Sequence, residues 1–177
     1  MSYPSRLQVD IKILDARLLS RFGGAPAPAT PGASAVDVVA CAVYPTLPSG
    51  KPDIAGRREM SNGIEVEHNR TVYFGLGFAM AGPIGWAAML LPRSGLASAR
   101  GLVLANTVGF IDIADYRGEC IAALRNTGHL AAVIHPGDRI AQMCLVNTPL
   151  PEWSFVDELP PSHRGAGGFG STGVVNS

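Results

Sequence analysis

The chain has 177 residues, and its 14 Lys and Arg balance its 14 Asp and Glu, so the formal net charge at pH 7 is zero. This length fits one domain or at most two small ones. The balanced charge excludes a general nucleic-acid binder, because affinity for a phosphate backbone needs a surplus of basic residues. With 47% hydrophobic and 16% charged residues, the chain can bury a core, which excludes global disorder. Its 21 Gly and 14 Pro disfavour helices and predict a β-rich fold with many turns.

The cysteines and the first residues give an expectation about the compartment. Cys41, Cys120 and Cys144 are too few and too scattered for a disulfide framework or a zinc site. The first residues lack the apolar core of a signal peptide, so we expect a cytoplasmic protein. Residues 71–92 carry no charge, but the Gly-Pro-Ile-Gly turn at 82–85 interrupts them. We therefore expect two buried strands there and no membrane partner.

Short strands separated by turn residues follow one another along the chain. The first, residues 8–14, alternates polar and apolar side chains as a half-buried strand does. No window keeps a helical apolar period for more than about two turns, which favours a β-barrel or sandwich. The predicted strands are residues 8–14, 36–43, 64–67, 72–80, 86–91, 101–105, 119–125, 130–135 and 139–146.

The composition divides the chain into a core and an arm. We expect a core over residues 1–148 and a C-terminal arm over residues 149–177, which begins with Pro-Leu-Pro and ends rich in Gly. Within the core, residues 45–63 are polar and contain several Pro and Gly, so they are expected to form an exposed surface excursion.

The arm ends in a segment suited to anion binding. Five of the ten residues 164–173 are Gly, and successive Gly N–H groups can point at an anion without side-chain interference. Arg164 adds donors for phosphate oxygens, and Phe169 offers a flat face for a base. A flexible Gly/Ser tail is the alternative, although such a spacer has no need of an Arg and a Phe.

Two motifs inside the core carry further chemistry. Residues 92–97 (PRSGLA) follow an apolar strand and offer a guanidinium and a hydroxyl, which form either a phosphate grip or an ordinary turn. Residues 109–119 (GFIDIADYRGE) form an expected short hairpin. Asp112 or Asp115 there is either a general base or metal partner beside an apolar wall, or a turn residue that bonds backbone groups.

A third core motif, residues 136–143 (PGDRIAQM), predicts a turn that runs into a strand. Asp138 and Arg139 are expected to form a structural ion pair. Gln142 either donates to a ligand or caps a sheet edge.

Together these pieces resemble one family, the trimeric dUTP pyrophosphatases (dUTPases), which have five motifs in fixed order. The corresponding segments are residues 31–38 (PGASAVDV), 92–97, 109–119, 137–143 and 164–173. The resemblance implies a distorted jelly-roll β-barrel of the β-clip type, assembled as a homotrimer with exchange of C-terminal strands and tails. It also implies Mg²⁺-assisted hydrolysis of dUTP to dUMP and pyrophosphate, which supplies dUMP for thymidylate synthesis and keeps uracil out of DNA.

The resemblance also implies roles for individual residues. Asp112 corresponds to the base that activates water, Ser94 to a hydrogen-bond donor near the α–β bridge, and Asp37 to an outer-shell contact of Mg²⁺ through water. Tyr116 would lie under the deoxyribose and exclude a 2′-hydroxyl. The other implied contacts are Arg93, Gln142 and Arg164 to the β- and γ-phosphates, Phe169 over uracil, Asn106 with Gly109, Phe110 and Ile111 at the uracil edge, and Gly95, Ile121, Gly170 and Ser171 in the remaining substrate-binding set.

The chain departs from the family pattern in three places. The family spacing Gly-x-Ile-Asp-x-Asp-Tyr is one residue longer here, and we expect a β-bulge at residues 113–114 to absorb the insertion while Asp112 and Tyr116 keep their places. Ala35 stands where the family usually has Gly. The excursion at 45–63 is longer than usual, and an indifferent surface insertion is preferred over a partner-binding role.

Two other functions stay open on the sequence. The altered third motif and the long excursion would suit a non-catalytic, nucleotide-sensing trimer that binds a protein partner. A dCTP deaminase shares the jelly-roll core, but the Arg-Ser-Gly-Leu-Ala run and the complete Gly-rich fifth motif argue against it.

Overall fold

The computed structural model describes residues 7–22, 26–28 and 30–167, and these residues confirm the β-rich fold. Two short helices, α1 (Arg17–Ser20) and α2 (Ser94–Arg100), and a 3₁₀ turn (Ile54–Gly56) accompany the strands. None of the helices in these ranges is long and apolar enough to cross a membrane. The strands are β1 (Asp10–Ile13), β2 (Val36–Val39), β3 (Ala42–Tyr44), β4 (Arg58–Glu59), β5 (Ile64–Val66), β6 (Thr71–Gly75), β7 (Phe78–Ala81), β8 (Trp86–Leu91), β9 (Leu102–Leu104), β10 (Gly109–Ile111), β11 (Ile121–Asn126), β12 (Ala132–Ile134) and β13 (Arg139–Asn147).

Two larger antiparallel sheets enclose the core. One has the strand order β10-β8-β13-β2 and the other β4-β3-β6-β11-β9, while β1 pairs with β7 and β12 with β5. Buried side chains of both sheets, such as Leu90 and Ile140 from the first and Phe74 and Leu124 from the second, belong to one hydrophobic cluster. The two sheets are therefore the layers of a single β-structure around a shared core, as expected for a jelly roll.

The long strand predicted over residues 36–43 is wrong, because the chain changes sheets in the middle of it. β2 belongs to the four-stranded sheet and β3 to the five-stranded sheet. Between them, the Ala40 N–H donates to the Asp138 carbonyl, and the Cys41 N–H donates to the Gly75 carbonyl. Both side chains are apolar and fully buried. The apolar run in the sequence thus marks burial on both sides of a corner and not a continuous strand.

The strand predicted over residues 72–80 is broken for a similar reason. Gly77 has a φ of +79°, a left-handed conformation that L side chains rarely adopt. A Cβ at this position would lie 2.7 Å from the Cys41 Sγ. Gly77 separates β6, in the five-stranded sheet, from β7, which pairs with β1. Gly77 is a turn signal in the sequence, but the apolar residues on both sides of it made the segment resemble one continuous strand.

Helix α2 corrects the expectation of a simple turn at residues 92–97. The helix begins at Ser94, and its N–H groups at Leu96 and Ala97 donate to the Arg93 carbonyl. It ends at Gly101, whose φ of +66° is typical of a helix C-cap. The Leu and Ala residues between them favour a helix, although seven residues are too few for a sequence period to be visible.

The third motif is a turn, and the predictions of a hairpin and of a bulge at residues 113–114 are wrong. β10 pairs with β8, whereas β11 pairs with β6 and β9. The Asp112 carbonyl accepts the N–H groups of Asp115 at 3.0 Å and of Tyr116 at 2.8 Å. Ile113 is fully buried, and its carbonyl accepts the Gly82 N–H at 2.9 Å. The extra residue therefore lies in an anchored turn, outside the paired residues of β10 and β11.

The excursion at 45–63 is folded onto the core, which corrects its interpretation as an indifferent surface insertion. β4 pairs with β3, and the Met60 N–H donates to the Cys41 carbonyl at 3.0 Å. The Met60 side chain is only 1% exposed. Arg17 reaches across to donate to the Met60 carbonyl at 2.5 Å, and its guanidinium lowers the pKa of the neighbouring Asp15. The end of the excursion is thus part of the hydrophobic core.

Replacing Met60 by Ala should therefore lower the free energy of unfolding by about 2–5 kcal/mol, the usual cost of removing a large buried side chain. Ile54→Ala, in the same excursion but 60% exposed, is the matched control and should cost less than about 0.5 kcal/mol. Urea denaturation at one protein concentration measures both. Equal, small losses would mean that the excursion is not integrated into the core.

Candidate active site

Three neighbouring strands bring Asp37, Arg93 and Gln142 together at one edge of the four-stranded sheet. In the register of β13, Gln142 lies opposite Asp37 of β2 on one side and opposite Leu91 of β8 on the other. Arg93 follows Leu91 by two residues, between β8 and α2. Residues from the first, second and fourth motifs therefore form one group within a single chain.

Ion pairs organise this group, which we call the arginine cluster (Asp37, Arg93, Arg139 and Gln142). The Arg93 Nε donates to the Asp37 Oδ1 at 2.9 Å, and the Arg139 Nη1 donates to the Asp37 Oδ2 at 3.3 Å. Two guanidinium groups share one carboxylate, so the cluster keeps a positive charge that suits an anionic ligand. It borders a groove of about 260 Å³ that is lined by Arg93, Gly95, Leu96, Arg100, Asp138 and Arg139.

Arg139 was missed as a member of this cluster, because the sequence predicted an ion pair with Asp138. That pair is wrong: the Asp138 carboxylate accepts the His135 N–H at 2.9 Å and lies 3.9 Å from the Arg100 guanidinium. Arg139 instead faces Asp37, which is 102 residues away in the sequence. Only the pairing of β13 with β2 could identify this partner.

Ser94 and Gly95 occupy the first turn of α2, beside the arginine cluster. Both are exposed, and a Cβ at Gly95 would meet no atom within 4 Å. This open surface lets a ligand approach the backbone at the start of the helix. The Ser94 carbonyl accepts the Ser98 hydroxyl at 2.9 Å, a bond within the helix.

The turn of the third motif forms a second, separate pocket. This third-motif pocket has a volume of about 190 Å³ and is lined by Phe110, Ile111, Asp112, Tyr116 and Ile121. The Asp112 side chain is exposed at its rim, and the Tyr116 hydroxyl donates to the Glu119 carbonyl at 3.0 Å. Partial burial raises the pKa of Tyr116, so its hydroxyl stays protonated at neutral pH. The pocket therefore presents one free carboxylate among apolar and aromatic walls.

Two residues expected at the uracil edge do not line this pocket. Asn106 is exposed in the turn before β10, and Gly109 is buried against the Leu90 side chain. Ile111 and Phe110 do line the pocket, and Phe110 is 55% exposed. The third-motif pocket is also smaller than the roughly 300–1,000 Å³ of complete ligand sites. By itself it is therefore too small to enclose a nucleotide.

The arginine cluster and the third-motif pocket lie at opposite ends of strand β8. Ile111 pairs with Ala88 near the start of β8, so Asp112 lies beside that end. Arg93 follows the other end of the strand. Five or so strand residues separate the two positions, which corresponds to roughly 15–20 Å. Within one chain, Asp112 and the arginine cluster therefore do not face one another.

The described part of the arm, residues 149–167, is exposed along its whole length. Trp153 is 77% and Phe155 is 97% exposed, which is unusual for large apolar side chains. Arg164 is exposed, and its Nε donates to the nearby Gly167 carbonyl at 2.7 Å. The predicted contacts Phe169, Gly170 and Ser171 lie outside the described residues.

Among the described side chains, Asp37 is the carboxylate that the resemblance assigns to Mg²⁺ through water. In residues 7–22, 26–28 and 30–167, no group of three or more His, Cys, Asp or Glu could hold a metal. Mg²⁺ commonly keeps several waters and uses one or two carboxylates plus phosphate oxygens. The Asp37 carboxylate accepts three hydrogen bonds, from Arg93 and Arg139, out of about four that a carboxylate can accept. One acceptor position remains for a metal-bound water.

Comparison with known proteins places this geometry in a family. A family model described as dUTPase matches residues 53–173. The deoxyuridine 5′-triphosphate nucleotidohydrolase of Burkholderia cenocepacia (strain HI2424) is 39% identical over 168 residues, which cover 94% of this chain and 99% of the relative. The enzyme of the same name from Ralstonia pickettii (strain 12J) is 38% identical over 167 residues and covers the same shares.

Solved structures agree on the fold. The Staphylococcus bacteriophage 80alpha dUTPase with dUPNHPP superposes with a TM-score of 0.68 at 21% identity, covering 94% of this chain and 99% of that one. A mutant dUTPase from phage phi11 of S. aureus, described as revealing the coordination of a structural Mg(II) ion, has a TM-score of 0.65 at 17% identity and covers 87% and 99%. The jelly-roll expectation is thereby confirmed, and with the matched motifs and the relatives along nearly the whole chain, this protein belongs to the dUTPase family.

Proposed function

We propose that this protein hydrolyses dUTP to dUMP and pyrophosphate, by attack of an activated water on the α-phosphorus. The observation that carries the proposal is the third-motif pocket, where the exposed Asp112 carboxylate stands beside apolar walls and Tyr116. The cationic arginine cluster supplies the complementary site for a triphosphate. Membership of the dUTPase family supports joining these two parts into one reaction.

Asp112 acts as the general base in this mechanism. Its carboxylate accepts a proton from the attacking water and orients the oxygen in line with the bond to the leaving pyrophosphate. The Asp112 carbonyl accepts hydrogen bonds from the Asp115 and Tyr116 N–H groups, so the backbone that carries the carboxylate is held in a defined turn. A positioned base lowers the barrier because no reorganisation is needed when the proton moves.

The arginine cluster and the start of α2 hold the phosphates. Arg93 and Gln142 donate to the β- and γ-phosphates, and the Ser94 hydroxyl donates near the α–β bridge, where negative charge grows in the transition state. The Gly95 backbone is open to a close approach of the ligand. Arg164 completes the phosphate contacts from the Gly-rich arm, which closes over the bound nucleotide as a lid.

Magnesium fits this arrangement as an ion held mainly by the triphosphate. Bound Mg²⁺ neutralises negative charge on the phosphate oxygens, including that on the leaving pyrophosphate. Asp37 would contact it through a water, with the acceptor position that Arg93 and Arg139 leave free.

Nucleoside selection belongs to the third-motif pocket. Tyr116 and Ile121 contact the deoxyribose side of the nucleotide, and Tyr116 leaves no room for a 2′-hydroxyl. Phe110 and Ile111, which line the pocket, contact the uracil edge through their backbone. Phe169, with Gly170 and Ser171, covers the uracil from the arm.

A homotrimer completes the site. Within one chain, Asp112 and the arginine cluster lie apart by most of the length of β8. This separation supports a site whose base and phosphate contacts come from different copies. The exposed Trp153 and Phe155 give the arm an apolar surface that a neighbouring copy can cover. Exchange of arms among three chains would satisfy both requirements.

Asp112→Asn should lower kcat for dUTP by about 10²–10⁴-fold, the usual contribution of a positioned general base. Asp115→Asn is the matched control, since Asp115 is exposed in the same turn, and it should keep nearly all activity. Pyrophosphate release in the presence of Mg²⁺ measures both. The reverse pattern would assign the base to Asp115.

Pyrophosphate release, together with measurements of dUTP binding and of ammonia release from dCTP, separates the competing functions. Wild-type protein that binds dUTP without releasing pyrophosphate would support a nucleotide sensor. Ammonia release from dCTP would support a deaminase. Turnover of dUTP with neither of these outcomes supports the proposal.

Arg164→Gln should lower kcat by as much as about 10³-fold, by analogy with arginines that stabilise phosphoryl-transfer transition states. Arg70→Gln is the control, because Arg70 is 76% exposed and its recorded ion pair is with the surface residue Glu67. Steady-state kinetics with dUTP compare the two variants. Equal activities would remove Arg164 from the phosphate contacts.

The wild-type protein should sediment with three times the mass of one chain. Phe155→Ser should raise the concentration at which half of the trimer dissociates by at least about tenfold, since burial of a Phe side chain contributes about 1.5–3 kcal/mol. Glu158→Gln, in the same arm, should leave assembly unchanged. A wild-type monomer that is fully active would overturn the shared site.

A further inference from the structure

A buried carboxylate lies directly behind the third-motif turn. Glu119 closes that motif, and its side chain is only 4% exposed. Ionised carboxylates are rarely buried unless they are paired and hydrogen-bonded. The surroundings of Glu119 therefore show what keeps it in place.

Three groups donate to the Glu119 carboxylate. The Arg57 Nε lies 2.5 Å from Oε2 and its Nη2 lies 3.2 Å from Oε1. The Gly77 N–H donates to Oε1 at 2.8 Å, and the Tyr44 hydroxyl donates to Oε2. Burial, together with the bond to Glu119, raises the pKa of Tyr44, and the bond to Glu119 raises the pKa of Arg57. Both groups thus remain in their donating forms.

The cation of this network comes from the excursion at 45–63. Among the described residues, Arg57 is the sole Lys, Arg or His within 4.0 Å of the Glu119 carboxylate. Its guanidinium makes a bidentate contact with the carboxylate, the strongest geometry for an arginine–carboxylate pair. The excursion therefore supplies the countercharge for a carboxylate that belongs to the third motif.

Glu119 is linked in turn to the pocket. Its carbonyl accepts the Tyr116 hydroxyl at 3.0 Å, and the Tyr116 N–H donates to the Asp112 carbonyl at 2.8 Å. Residues 112–120 belong to no strand. Ile113 fixes the start of this segment in the core, and the Glu119 side chain fixes its end.

We propose that Arg57 is a positioning residue for substrate selection: through the Glu119 carboxylate it holds the 112–119 turn, and with it the Tyr116 ring that excludes a 2′-hydroxyl. The inference rests on the proposed hydrolysis of dUTP and assigns the excursion a part in its specificity. Loss of Arg57 leaves the buried carboxylate without its cation. The chain then relaxes in the 112–119 turn and not in the paired strands on either side, because the turn has no strand pairing and is held by local contacts, among them those of the Arg117 guanidinium to the Ile113, Ala114 and Tyr116 carbonyls.

The experiment compares Arg57→Gln with Arg58→Gln. Arg58 is the adjacent arginine and is exposed in β4. Among the described residues, its guanidinium makes no hydrogen bond or ion pair. The readout is the ratio of kcat/KM for dUTP to kcat/KM for UTP. Arg57→Gln should lower this ratio by about 10- to 100-fold, the effect of displacing a positioning group without removing it. Arg58→Gln should keep the wild-type ratio.

Two further variants separate positioning from a general loss of stability. Arg57→Lys keeps the charge but not the forked donor geometry, so it should recover only part of the ratio. The double variant Arg57→Gln with Glu119→Gln leaves no unpaired buried charge and should give a ratio between those of Arg57→Gln and the wild type. If Arg57→Gln does not fold, the double variant decides, and a wild-type ratio there overturns the inference.

The remaining outcomes distinguish this inference from the proposed function. If Arg57→Gln lowers Tm and both kcat/KM values equally, Arg57 has a purely structural role and the inference fails, while hydrolysis of dUTP stands. If the wild type releases no pyrophosphate, the proposed function fails, and the ratio of affinities for dUMP and UMP, measured by calorimetry, tests Arg57 instead. A wild-type protein that binds neither nucleotide overturns both.

Discussion

Strand β8 is the constraint on which the arrangement of the site depends. It pairs with β13 on one side and with β10 on the other, and each register is antiparallel. The pairing with β13 places Gln142 beside the end of β8, where Arg93 follows. The pairing with β10 runs the other way and carries Asp112 towards the opposite end. The same hydrogen bonds that build the sheet therefore keep the two chemical groups apart within one chain.

Burial separates the roles of the arginine–carboxylate contacts at Asp37 and at Glu119. At the arginine cluster, the Asp37 side chain is 18% exposed and faces two arginines, so positive charge remains available to a ligand. At Glu119 the carboxylate is buried, and Arg57, Tyr44 and the Gly77 N–H all donate to it, so the network is enclosed within the protein. The first arrangement is suited to binding and the second to holding a turn, although both use the same residue types.

The excursion at 45–63 links the hydrophobic core to the Glu119 network, because its last residues are part of the core. Met60 fills a place in the hydrophobic cluster, and the neighbouring backbone extends the five-stranded sheet through β4. With Met60 buried and β4 paired, Arg57 is held in a defined position beside Glu119. The excursion thus supplies Arg57, a side chain that supports the third-motif turn from the side of the core.

Much of the fold class and of the site was readable from the sequence. High Gly and Pro content with short alternating segments predicted a β-rich fold, and five ordered motifs identified the family and the residues of the arginine cluster, Arg139 excepted. These features are local, since a motif of a few residues carries its own chemistry. The roles of Phe169, Gly170 and Ser171 stay predictions, as does the division between core and arm at residue 148.

Only the tertiary structure decided how distant segments meet. Apolar runs at 36–43 and 72–80 were identical in pattern to single strands, but the chain changes sheets within each of them. The extra residue of the third motif lies in a turn. This turn is anchored because the Ile113 side chain packs against Gly82 and the Ile113 carbonyl accepts the Gly82 N–H. The partners of Arg57 and Arg139 lie 62 and 102 residues away. The sequence by itself determined which side chains could bind, donate or be buried, whereas strand pairing and packing over long separations determined which of them touch.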